Sequence, residues 1–89
     1  MDPRERRAAE ERLTLLEFLV SALERRREVL DLVWAAADRD QAAEHLRHLL
    51  GDSADPAIVL DMQIWRMTAE GREELETELR RLRQLLGGE

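Results

Sequence analysis

The sequence contains no cysteine, no lysine and no tyrosine, and only two prolines and four glycines in 89 residues. Without cysteine there is no disulfide scaffold and no thiolate metal site, which fits a reducing, cytoplasmic setting. No apolar run approaches the ~18 residues of a bilayer-spanning helix, so membrane insertion is not expected. The start, Met1-Asp2-Pro3-Arg4-Glu5-Arg6-Arg7, is mixed in charge with no apolar stretch behind it, and predicts no secretory leader. β-branched residues are few and never alternate with polar ones, so no strand is expected. Gly51 and Gly71 stand alone and form no phosphate loop, and Ser21 and Ser53 lack a nucleophile-elbow context.

Positive charge is also limited. All 14 basic residues are Arg, against 20 acidic ones, and the net charge is −6. An acidic chain is repelled by nucleic-acid phosphates unless its cations gather on one face. The densest run, Arg25-Arg26-Arg27, splays over ~200° of a helix and has Glu24, Glu28 and Asp31 as neighbours. Direct DNA binding is therefore not expected.

What remains is 44% hydrophobic and 38% charged, built from Ala, Leu, Glu and Arg. These are helix formers, and the chain reads as one all-α domain over residues 1–89. A domain this small buries only about 60–65% of its unfolded surface, which makes self-association a reasonable expectation.

The breakers divide the chain into long, short, short and long helices. Pro3 after Asp2 opens the first, which is expected to run to Ala37 with residues 1–7 frayed or solvated. Its apolar seam is Leu13, Leu16, Val20, Leu23, Leu30 and Trp34, at heptad spacing with Arg27 in one slot. Arg27 there could pair with a Glu of the last helix. A second stripe, Leu15, Leu19, Ala22, Val29 and Val33, lies beside the seam. Together they make a face wider than a two-stranded seam needs. A second helix is expected from Asp40 to Leu50, ended by Gly51. A last helix, capped by Thr68 and reaching Leu86, carries Leu75, Leu79, Leu82 and Leu86. The two long helices should pair antiparallel as a coiled coil, with the two short helices at its tip.

The third helix, expected from Asp55 to Met67, is apolar on two sides. Ile58, Met62 and Trp65 form one stripe, and Leu60, Ile64 and Met67 another. Positions two apart lie ~200° round a helix, so one stripe can face the chain's own core and the other a second copy. These six residues are the candidate dimer interface. The assignment of stripe to partner is open.

The only constellation with metal-ligand spacing is His45, His48 and Asp52, and a solvated helix face accounts for it better. No catalytic set, cofactor site or metal site is expected, and both Trp residues read as packing or interface side chains.

The stretch Val59-Leu60-Asp61-Met62-Gln63-Ile64-Trp65-Arg66-Met67-Thr68 resembles the I-L-D-[ML]-x-L-x-[RK]-L-T segment in the family of the DNA gyrase and topoisomerase IV A subunits. An acidic helix, Glu73 to Leu82, follows it, as in that family. Arg12 to Leu23 is similar to the family's first coiled-coil helix, and Asp38 to Leu46 to its short tip helix. The resemblance implies an antiparallel coiled coil whose terminal knob meets its twin at the exit gate, hence a homodimer joined through the tip. Strand cleavage in that family uses a tyrosine of a separate domain, and this chain has no tyrosine. Gln63 and Trp65 depart from the family's usual basic and polar residues, and Gly71 from an expected helix former. The resemblance thus implies a non-catalytic dimerisation module. Two other readings are a small regulator that binds a host gyrase or other type II topoisomerase, and a ligand- or metal-binding helical protein.

Overall fold

The computed structural model describes residues 1–87. They form helices α1 (Pro3–Glu24), α2 (Arg26–Ala35), α3 (Arg39–Leu50), α4 (Ala57–Leu60) and α5 (Ala69–Gly87). A 3-10 turn, Ile64–Met67, precedes α5. There is no strand among the described residues. The molecule is elongated, 45 × 27 × 17 Å, and no helix is long and apolar enough to cross a membrane among those residues.

Helices α1, α3, α4 and α5 start where a side chain accepts from a free amide. The Asp2 carboxylate accepts from Arg4 N–H at 2.9 Å, with Pro3 in the first turn. Residues 3–7 are accordingly helical rather than frayed, and largely solvated. Asp38 accepts from Gln41 N–H at 2.8 Å, while the Gln41 side chain accepts from Ala37 N–H at 2.7 Å. This reciprocal pair starts α3 at Arg39, and Gly51 at φ 87° ends it. Asp55 accepts from Ala57 N–H at 2.9 Å and opens α4 behind the fully buried Pro56. Thr68 accepts from Gly71 N–H at 3.0 Å and donates to the Trp65 carbonyl at 2.7 Å, which joins the 3-10 turn to α5.

Two apolar clusters flank α1. On one side Leu16 and Leu23 bury against Leu75 and Leu79 of α5, with Leu13, Val20 and Leu82 packed on them. The last turns of α1 lie beside the first turns of α5 around Val20, Glu24, Arg72 and Glu76. Further along, Arg12 reaches Glu78 and Arg83 reaches Glu17. The two helices therefore run antiparallel. On the other side Phe18, Ala22 and Val29 bury against Leu46 of α3 and Val59 of α4. Leu19 touches both clusters. The two adjacent stripes of the first helix thus serve two different partners.

Three expectations need correction. The first long helix does not reach Ala37. It breaks at Arg25 (φ −105°, ψ 29°) and resumes as α2, which ends at Ala35. No Pro or Gly marks the break, and helix kinks without one are set by side-chain insertion or tertiary contacts. Here the Arg25 guanidinium donates to the Leu49 carbonyl at 2.9 Å near the end of α3, and to Glu28 at 2.7 and 3.0 Å. The second correction follows from the first. Beyond the break the heptad seam has no partner helix, so Leu30 is 52% exposed and Trp34 is 91% exposed. Arg27 is exposed and makes no ion pair with α5 among the described residues. At the far end of α5, Leu86 is half-buried and lies outside the Leu75–Leu79 cluster.

Third, Asp55 to Met67 is not one helix. Four residues of α4 are followed by a turn at Asp61, extended backbone at Gln63 (φ −68°, ψ 136°) and the 3-10 turn. The segment must double back to bring the 3-10 turn against α5. Gly71 permits that approach. A Cβ there would stand 2.6 Å from the Cα and carbonyl oxygen of Arg66.

Two outcomes follow for stability. Gly71→Ala should lose roughly 1–3 kcal/mol, the usual cost of overpacking against backbone, because the 3-10 turn must move; chemical denaturation of both proteins measures it. The second concerns acid. The hydrogen bond from Arg12 holds the Glu78 carboxyl below its ordinary 4.5. A depressed folded-state value stabilises above the unfolded value, and that contribution is lost as pH falls through the folded one. The pair is partly solvated, so screening keeps it well under about 1 kcal/mol. Thermal melts of Glu78→Gln should match the parent below that window and fall slightly under it above pH 4.5.

Candidate interaction site

Helix α2 turns one face to α3 and leaves the other open. Val29 is buried, whereas Leu30, Val33 and Trp34 share an uncovered strip at spacings of three and four. Across from this strip runs the irregular chain from Val59 to Met67. Between the two lies an apolar groove of about 180 Å³. Ala22, Leu23, Val29 and Val59 form its buried floor, and Leu30 and Val33 one wall. Leu60, Met62, Ile64 and Met67 supply the other wall, with Arg26 as the charged lining residue.

Polar contacts hold that second wall in its non-helical path. Arg39 donates two hydrogen bonds to Asp61, at 2.9 and 3.0 Å, and ties the turn after α4 to the start of α3. The same pairing keeps the Asp61 carboxyl below its ordinary value. Trp65 Nε1 donates to the Gln63 side chain at 2.8 Å, and Arg66 places its guanidinium 4.8 Å over the indole. Arg72 donates to the Met67 carbonyl at 2.9 Å from the first turn of α5. The apolar side chains of this wall are thus displayed by a frame of charged and amide groups at its back.

The six candidate interface residues fall into unequal groups. Ile58 packs against the Phe18 cluster and does not line the groove. Leu60, Met62 and Met67 are half-buried in the wall, and Ile64 is 75% exposed at its edge. Trp65, 41% exposed, has its ring and N–H engaged by Arg66 and Gln63 and does not line the groove. Because α4 ends at Leu60, helical periodicity no longer sorts these residues. The stripe Leu60, Ile64 and Met67 shares the groove, and Met62 joins it from the other stripe.

Sequence reasoning missed Leu30, Val33 and Trp34 as surface residues. A signal was available. The seam of the last helix, Leu75 to Leu86, is 12 residues long, enough for Leu13 to Leu23 and no further. Leu30 and Trp34 therefore had no counterpart from the outset.

The histidine face is resolved as a solvated one in part. His48 lies 3.3 Å from Glu44 and is mostly exposed. His45 is half-buried, and its Nδ1 is enclosed without a hydrogen-bond partner. Among the described residues no group of three or more His, Asp or Glu side chains is placed to hold a metal ion. Compared with protein-family models, with curated proteins and with solved structures, the chain has no match.

Proposed function

We propose that this chain is a non-catalytic self-association module, acting in the cytoplasm as a homodimer joined through the groove at its tip. The observation that carries the reading is the uncovered apolar side chains around that groove: Leu30, Val33, Trp34 and Ile64. Soluble monomers rarely expose contiguous apolar patches beyond a few hundred Å². A rim of charge beside an apolar centre is the usual anatomy of a protein contact.

The resemblance of Val59–Thr68 to the exit gate of type II topoisomerases supports the same arrangement. In that gate a helical knob at the end of an antiparallel coiled coil meets its twin. The α1–α5 pair would be the stalk here, and α2, α3 and the Val59–Met67 segment the knob. A homodimer needs no catalytic group, and its specificity would come from shape and from the fixed path of the groove wall.

Solution mass tests the reading. Sedimentation equilibrium should give about twice the 10.4 kDa chain mass at micromolar concentration. Ile64→Asp, at an exposed position, should keep its helical circular dichroism and sediment as a monomer. A parent protein that stays monomeric into the millimolar range would refute self-association.

A further inference from the structure

We infer that the dimer is anchored by reciprocal insertion of Trp34, the indole of each copy entering the groove of the other. This rests on the self-association reading and names the residue and geometry that would carry it.

Four observations lead to Trp34. It is the most exposed large apolar side chain among the described residues, 91% uncovered in the last turn of α2. At that exposure its own fold leaves the indole in solvent, whereas Trp65 is held by Gln63 and Arg66. The groove beside it has about 180 Å³ and apolar walls, and an apolar cavity of roughly 150 Å³ already accepts a benzene ring. One aromatic side chain is therefore the right size of occupant. Trp34 also follows directly on Val33, a residue of the wall, so its own helix carries it past its own groove. A second copy can supply what the first cannot.

A projecting side chain next in sequence to the wall of a cavity suits a two-fold, isologous contact, because each copy offers both halves. The areas agree. Leu30, Val33, Trp34 and Ile64 together expose on the order of 500 Å² per copy, so two copies cover at most roughly 1,000 Å², the area a specific contact should clear. Arg26 lines the groove with its guanidinium 3.4 Å from the Leu23 carbonyl. From there it can lie against the face of an incoming indole, a favourable cation–π contact.

Two measurements on the full chain separate the outcomes. In Trp65→Phe the remaining Trp34 reports alone. Its emission should shift to the blue and resist iodide quenching as concentration rises through the dimerisation range. In Trp34→Phe the emission of Trp65 should not move. By sedimentation, Trp34→Ala should weaken the dimer at least ~30-fold, as for a hot-spot aromatic, with helical circular dichroism unchanged. A parent dimer whose Trp34 emission stays red and quenchable, and whose mass survives Trp34→Ala, overturns the insertion while leaving self-association standing. A parent that remains monomeric overturns both.

Discussion

Helix α1 is apolar on two adjacent stripes, and the architecture is the consequence of covering both. Leu16 and Leu23 turn to α5, while Phe18 and Ala22 turn to α3 and α4. Neither cluster is large. Each consists of four or five buried side chains, and Leu19 is the seam between them. With so thin a core, the position of α1 fixes everything else. The return helix can only lie antiparallel along the first stripe, and the short helices can only fill the second. At roughly 25 cal/mol per Å² of apolar surface removed from water, these clusters are the main stabilising force. The charged pairs along their edges, Arg12 with Glu78 and Arg83 with Glu17, are solvated and add little energy. Their effect is to favour one register of α5 on α1 over its neighbours.

The break at Arg25 converts a continuous stripe into two surfaces with different fates. Before it, the stripe is covered by α5. After it, Val29 continues into the core, while Leu30, Val33 and Trp34 face outward. The guanidinium of Arg25, the residue at the break, takes up the Leu49 carbonyl, one of the acceptors that an α-helix leaves free at its C-terminal end. Kink and cap are therefore one interaction. The arrangement leaves the tip with more apolar surface than the tip itself can hide, and the proposed dimer follows from that surplus.

The groove wall is a short helix and a 3-10 turn joined by extended backbone, braced by side-chain hydrogen bonds. Side chains of Arg39, Gln63, Thr68 and Arg72 bond to groups of the Val59–Met67 segment, which presents Leu60, Met62, Ile64 and Met67 without a continuous α-helix. Gly71 is the condition for this. It allows the backbone of Arg66 to rest on the first turn of α5.

Much of this was legible in the residues themselves. Local chemistry dictated the helix starts at Asp2 and Thr68, a second helix beginning within a residue of Asp40, the stop at Gly51, the all-helical class, and the leucine seam between residues 13–23 and 75–82, because caps and periodicity act over a few residues. Apolar side chains in excess at the tip were visible too. Two features came only with the tertiary structure: the break at Arg25 and the unwinding after Leu60. Each depends on partners far away in sequence, namely the Leu49 carbonyl, Arg39 and the α5 backbone at Gly71. Periodicity reports which residues would share a face if a helix continued. Whether it continues is settled by whether packing and hydrogen bonds elsewhere reward the break.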